Sequence, residues 1–311
     1  MKFLIIGGTG FIGSNLIIRL SENPENEIVC FSKSEPNNSM LNNIKNPDKF
    51  RYISGNYFEM EFDSLTAGID IVVHLISTTV PKSNEPMIDI NDNIVPTIKL
   101  LESCVKNDVK KFIFVSSGGT VYGRTTDIPI DENHPTNPIC AYGVQKLTIE
   151  KYISLYNHIY GLDYKIIRLS NPYGKFQSID SGVGVITNFT VKCIKREPII
   201  VFGNGETVRD YIYIDDAIEG IINIIDSKSN FKLFNLGSGK GTSLNDIIEL
   251  LKKKVDDNIV VKYKEHRNVD VPYNVLDIKR YLSIVNHKMI DLEEGVGKLK
   301  NYILDSLDQI E

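Results

Sequence analysis

Tyr142 and Lys146 stand four residues apart in Tyr142-Gly143-Val144-Gln145-Lys146, which puts both side chains on one face of a helix. An ammonium held beside a phenol draws its pKa from about 10 toward neutrality. Such a phenol takes a proton from an alcohol while hydride leaves the same carbon, so the pair points to acid–base catalysis coupled to oxidation. Upstream, Ser116, Ser117 and Thr120 lie in Ser116-Ser117-Gly118-Gly119-Thr120-Val121-Tyr122-Gly123, directly after an apolar run. A third group is Gly7, Gly10 and Gly13, a G-x-x-G-x-x-G run behind the apolar residues 3–6. Glycines so spaced permit a tight turn, a close backbone approach to a pyrophosphate and close helix–strand packing. The helix that follows offers Phe11, Ile12 and Gly13 N–H groups to the phosphates of a dinucleotide.

Chemistry of that kind needs strands that deliver all three groups to one edge. Short β-branched runs at 3–6, 27–31, 51–54, 69–75 and 111–115 alternate with helical periodicity at 12–20 and 94–105. Strand and helix alternate without hairpin signals, which predicts crossover connections and a parallel sheet covered on both faces. Residues 140–160 read as one long helix carrying Tyr142 and Lys146, followed by a strand at 164–169. Residues 34–48, rich in Asn, Ser and Pro, read as a surface loop. Beyond Ser170 the pattern loosens, with helices at 187–195 and 244–254 and a strand at 231–236. The expected fold is α/β: a Rossmann-type doubly wound parallel sheet with a smaller, partly interleaved C-terminal substrate lobe. The division expected is 1–169 for the nicotinamide-cofactor domain and 170–311 for the substrate lobe, with 231–236 returning to the main sheet.

Composition narrows the partners. The 311 residues carry a formal net charge of −5, which offers no general attraction to a nucleic-acid backbone. Cys30, Cys104, Cys140 and Cys193 are widely spaced, as suits reduced thiols in a cytoplasmic protein. None of the five histidines has a metal-ligand spacing with another His or Cys, so no metal is expected. The four apolar residues at 3–6 are too few for a signal-peptide core or a membrane span. Ser32 and Lys33 close the second predicted strand, where a carboxylate often grips the adenosine ribose. A neutral Ser followed by Lys tolerates a 2′-phosphate, so the residues leave NAD and NADP both open.

These motifs, with Arg168-Leu169-Ser170-Asn171-Pro172-Tyr173-Gly174 and Arg209-Asp210-Tyr211-Ile212-Tyr213-Ile214-Asp215-Asp216, follow one another in a familiar order. Over essentially its whole length the chain resembles the extended short-chain dehydrogenase/reductases, specifically the NAD-dependent nucleotide-sugar epimerase/dehydratase family, and within it the UDP-hexose 4-epimerases. The resemblance implies that Tyr142 is the catalytic base and acid and that Lys146 bridges the nicotinamide ribose. The family's third catalytic residue, a Ser or Thr, falls at Gly118, so Ser117 is the candidate to hold the sugar hydroxyl, with Thr120 second. The likeness also places Asn56 and Tyr57 near the adenine. Leu75, Ser77, Asn93 and Ser116 lie along the rest of the cofactor. Asn171, Arg209, Arg267 and Asp270 are implied to bind the nucleotide-sugar substrate. Asp215 and Asp216 are expected to cap a helix starting near Ala217, and Ile218, Ile221, Ile222 and Ile225 to form its core stripe.

The expected reaction is NAD-dependent epimerisation at C4 of a UDP-linked hexose through a transient 4-keto sugar. The alternatives are an NADPH-dependent 4-keto-sugar reductase, suggested by Ser32-Lys33, and a non-catalytic nicotinamide-binding regulator. A dehydratase fits less well, because Gly118, Gly119 and Thr120 stand where those enzymes carry an Asp-Glu pair. Family likeness further implies a homodimer joined through the Tyr142 helix.

Overall fold

The computed structural model describes residues 1–179, 184–265 and 271–308. Its centre is a seven-stranded sheet of β1 (Lys2–Ile6), β2 (Glu27–Ser32), β3 (Phe50–Ser54), β4 (Ile71–His74), β5 (Lys111–Ser117) and β6 (Tyr164–Leu169), completed by the strand Leu233–Leu236 beside β6. All neighbours are parallel, and the chain runs outward from β1 in both directions, through β2 and β3 on one side and β4, β5 and β6 on the other. Strand order reverses between β1 and β4, and a crevice opens there at the carboxyl ends of the strands. Register sets Ile6 beside His74, His74 beside Phe114 and Ser117 beside Leu169. The glycine loop, the segment after β4 and the serine turn after β5 therefore leave the sheet along one edge.

Both faces are packed. One carries Phe3, Ile5, Val73 and Ile113 against the helices Phe11–Leu20 and Ile214–Asp226. The other carries Leu4, Ile6, Val72, Phe112 and Phe114 against Val95–Lys106 and Ala141–Tyr160. In Ile214–Asp226 the stripe Ile218, Ile221 and Ile225 is buried with Ile222 packed at its border, and each buried Ile contributes roughly 1.5–3 kcal/mol. The Ala141–Tyr160 helix stops at Gly161, whose φ of 75° is the left-handed conformation that ends helices.

The C-terminal part builds two small sheets. In one, Val208–Tyr213 pairs with Asn171–Tyr173, Gly241–Ser243 and Tyr273–Asn274; in the other, Ile199–Phe202 pairs with Val261–Lys264. Two expectations need correction. Residues 34–48 are not loop throughout: Asn38–Leu41 forms a helical turn, capped by the Asn37 side chain, because it buries Met40 completely. Asp215 and Asp216 do not cap a helix, since the helix already begins at Ile214. Asp215 pairs with Lys175 at 3.1 Å, while Asp216 accepts from His287 Nε2 and the Ile290 N–H, pinning the C-terminal segment. Among the described residues, no helix is long and apolar enough to cross a membrane.

Candidate active site

Gly7 leaves β1 with φ of +83° and donates its N–H to the Phe31 carbonyl at 2.8 Å, so the loop turns back against the end of β2. A Cβ on Gly13 would lie 2.5 Å from the Gly7 carbonyl oxygen and 2.6 Å from Gly8 Cα, so the helix packs backbone to backbone on the loop. The helix starts at Gly10 with no side chain capping its N–H groups. Those free donors, at the positive end of the helix dipole, fit a pyrophosphate. Beside the loop, Thr9 Oγ1 donates to Ser32 Oγ at 2.7 Å, and Lys33 is exposed.

The segment after β4 is tied down by its neighbours. Leu75 donates its N–H to the Ile6 carbonyl, and Ser77 Oγ donates to the Thr79 carbonyl. Asn93 is buried and clamps Thr78 twice, accepting from its N–H at 2.9 Å and donating to its hydroxyl at 2.7 Å. Asn56 is half-buried just after β3. The Tyr57 side chain is buried, its hydroxyl 2.7 Å from His74 Nε2 and 3.0 Å from Thr97 Oγ1 inside the core.

On the Ala141–Tyr160 helix Tyr142 is half-buried and Lys146 buried, the latter reaching the end of β5. Lys146 is 2 % exposed, and its Nζ donates to the Val115 carbonyl at 3.1 Å while lying 5.7 Å from the centre of the Tyr142 ring. Burial lowers Lys146 to about 8, with the Glu150 charge one turn along opposing the fall. Within the protein alone the Tyr142 phenol is pushed the other way from the effect of a neighbouring ammonium. Burial first, then Cys140 and Asp89, pushes it above the ordinary phenol range. Lys146 stands off the ring with its hydrogen bond committed to Val115, so desolvation dominates.

The serine turn explains the glycine at 118. A Cβ there would lie 2.6 Å from Leu276 Cδ1 and 3.1 Å from the Arg168 carbonyl, so that position faces packed chain. The direction a side chain would take from Gly119 opens instead on Ser117 Oγ and Asn171 Oδ1, each 3.9 Å away. Ser117 and Asn171 thus border one space. Asn171 is held by its Nδ2 donating to the Asp210 carbonyl at 2.8 Å. Thr120 Oγ1 is enclosed without a hydrogen-bond partner. Ser116 is committed elsewhere: its hydroxyl donates to Glu150 Oε1 at 2.6 Å, and Glu150 takes Arg168 Nη2 at 2.7 Å in a buried ion pair. The Glu150–Arg168 pair escaped the sequence reading, although Glu150 lies four residues beyond Lys146 on the same helix face.

Arg209 lies half-buried on Val208–Tyr213 and donates to the Val208 carbonyl at 2.8 Å. Its neighbour Asp210 is fully buried and gathers Ser238, Gly239 and Leu276 by hydrogen bonds, which makes it a structural clasp. Arg267 and Asp270 lie outside the described residues.

A doubly wound parallel sheet with a glycine loop at its switch point and a Tyr–Lys pair at the same edge defines a Rossmann-type nicotinamide-binding fold. The chain belongs to the NAD dependent epimerase/dehydratase family, whose sequence model matches residues 3–237, and its cofactor is accordingly NAD. It is 34 % identical over 304 residues to a Methanocaldococcus jannaschii protein provisionally named a UDP-glucose 4-epimerase, covering 96 % of this chain and 97 % of that one. It is 31 % identical over 303 residues to an Escherichia coli dTDP-4-dehydro-6-deoxyglucose reductase, with 95 % of each chain covered. Among solved structures it resembles the Thermotoga maritima UDP-glucose 4-epimerase with UDP-glucose, at a TM-score of 0.90 and 30 % identity, covering 99 % of this chain and 100 % of that one.

Proposed function

We propose that the chain is a cytoplasmic nucleotide-sugar epimerase that inverts C4 of a UDP-linked hexose. The support for this reading is that Lys146, near the Tyr142 ring, reaches the end of β5, the strand that leads into the turn where Ser117 and Asn171 border one space, on the same sheet edge as the glycine loop, together with whole-length similarity to UDP-sugar 4-epimerases. Residues 1–169 hold the cofactor and 170–311 the nucleotide sugar, with Arg209 and Asn171 toward the diphosphate and sugar. Arg suits that task because it can grip phosphate with two parallel hydrogen bonds.

NAD, when bound, would supply a hydride acceptor and a cationic ring. Ser117 would donate a hydrogen bond to O4 of the sugar and hold it in place. Tyr142, eased from its raised pKa by the cationic surroundings, accepts the O4 proton as C4 is oxidised. Lys146 would hold the nicotinamide ribose through its ammonium. The 4-keto sugar would turn over in the site, and Tyr142 would return the proton to O4 as C4 is reduced again. No proton or electron leaves the site over a full cycle.

Reduction of a 4-keto sugar at the expense of NADPH is the second reading, favoured by Ser32-Lys33 and by the likeness to the Escherichia coli reductase. Nucleotide released on denaturing the purified protein separates the two. About one NAD(H) per chain, followed by conversion of UDP-glucose to its C4 epimer, supports the epimerase. An empty protein that takes NADPH over NADH overturns it. The epimerase reading includes a homodimer: Val144, Leu155, Ile159 and Tyr160 are exposed on the Ala141–Tyr160 helix, and Val95 on its neighbour. Light scattering at twice the 35.1 kDa chain mass is the expected result.

A further inference from the structure

The turn that carries Ser117 is held from outside its own segment. Gly118 donates its N–H to the Leu169 carbonyl at 2.8 Å, and the Thr120 and Val121 N–H groups close back on the Ser117 carbonyl at 3.3 and 3.2 Å. The Gly118 carbonyl meets Asn274, whose Nδ2 donates to it at 3.1 Å. A carbonyl only accepts, so the amide nitrogen must be the atom that faces it. Asn274 is 1 % exposed and stands 156 positions along the chain, on the short strand Tyr273–Asn274. That strand pairs with Val208–Tyr213, and its register sets Asn274 beside Arg209. Two residues on, the Leu276 side chain fills the space beside Gly118, and the Leu276 N–H reaches the Asp210 carboxylate at 3.4 Å. The Asp210 carbonyl in turn holds Asn171. Residues 274–276 thus join the serine turn to the strand that bears Arg209 and holds Asn171.

We propose that Asn274 is a positioning residue for the reaction: its amide fixes the Gly118 carbonyl, and with it the direction in which Ser117 presents its hydroxyl. The proposal rests on the reading of Ser117 as the group that holds the sugar O4. Gly118-Gly119 is the most permissive stretch of the turn, and the anchor falls on the peptide between these two glycines. Removing the donor takes from that buried carbonyl the partner Asn274 supplies, and the glycines let the peptide rotate toward another. A shift of about an ångström in a group that orients the reacting hydroxyl costs about tenfold to 10²-fold in rate. Because Asn274 is paired with the strand of Arg209, the same contact keeps the sugar end of the site in step with the diphosphate end.

The test is steady-state kinetics of C4 inversion by the NAD-loaded protein, with UDP-glucose or its N-acetyl form, and titration with UDP. It compares the wild type, Asn274→Leu, Ser117→Ala and the double variant. Asn274→Leu keeps the size and removes the donor, so kcat is expected to fall about tenfold or more with KM and UDP affinity within about twofold. In the Ser117→Ala background the same change is expected to cost less than about threefold, because the group it positions is gone. An Asn274→Leu rate equal to the wild type overturns the proposal. So does an equal fall in both backgrounds, which marks a contact that serves the fold alone. If Asn274→Leu loses UDP or NAD binding, Asn274→Ala takes its place, and loss by both overturns the proposal. A wild type that binds UDP and NAD yet inverts no sugar overturns the epimerase reading alone, and amide exchange then decides this one. The Thr120 and Val121 N–H groups should exchange about tenfold faster in Asn274→Leu than in the wild type, and unchanged exchange overturns the proposal.

Discussion

Removing the Glu150 carboxylate should expose how much the catalytic helix depends on one buried ion pair. The side chains of Glu150 and Arg168 are 5 % and 4 % exposed, and they meet at 2.7 Å. Glu150 Oε1 also receives Ser116 Oγ and Arg168 Nε, while the guanidinium lies 4.7 Å from the centre of the Tyr122 ring. Glu150→Ala leaves Arg168 charged, buried and without its counterion, a situation that costs about 3–5 kcal/mol. At roughly 2 °C per kcal/mol for a chain of this size, melting should fall by about 6–10 °C. Replacing both partners, as in Glu150→Met with Arg168→Met, removes the unpaired charge and should recover most of that loss. Thermal unfolding followed by circular dichroism measures both. A single variant that melts within about 2 °C of the wild type, or a double variant as unstable as the single one, would refute the reasoning.

Three further outcomes follow from the same geometry. Gly13→Ala puts a methyl group 2.5 Å from the backbone oxygen of Gly7, so NAD binding should weaken at least about tenfold, measured by titration. Lys146 loses its proton near pH 8 because it is buried, so NAD affinity should fall as pH rises through about 8. Glu150→Gln removes the charge that opposes this loss and should move the fall to lower pH; an unmoved profile counts against the assignment. His74 is held near 3 by burial and by the Lys146 charge, whereas an unfolded His takes a proton near 6.5. The unfolded state therefore binds more protons between those values, and stability drops as pH falls through that window. About 2–3 kcal/mol should be lost from this group by pH 4.5. His74→Gln should show a shallower acid loss in urea titrations.

The parts of the site that could be read in the sequence are those whose chemistry fits within one turn or one strand end. Gly7, Gly10 and Gly13 are legible because a loop before a helix needs glycine at those spacings. Tyr142 and Lys146 are legible because four residues make one helical turn. The parallel sheet was legible from its β-branched runs, and within the expected return at 231–236 the residues Leu233–Leu236 form the strand beside β6. What escaped depends on contacts between distant segments. Nothing local in Gly118 tells that Leu276 and the β6 backbone lie against it. Asp89 and Gln145 are 56 positions apart in sequence, and only the fold brings both to Thr79. Spacing at Tyr142 reports the neighbouring ammonium but not the burial, which pushes the phenol upward. Asp216 looked like a cap for the same reason: its partners, His287 and Ile290, lie far along the chain.

The account stands on Tyr142 as the group that takes and returns the O4 proton. Its most direct test is proton NMR of UDP-glucose, and of its N-acetyl form, incubated with NAD-loaded wild type and Tyr142→Phe without further cofactor. The wild type should carry at least one of these sugars to an equilibrium mixture of C4 epimers. Tyr142→Phe, with NAD still bound, should do so about 10²–10⁴-fold more slowly. A phenylalanine variant that epimerises at the wild-type rate, or a wild type that holds NAD and converts neither sugar, would contradict it.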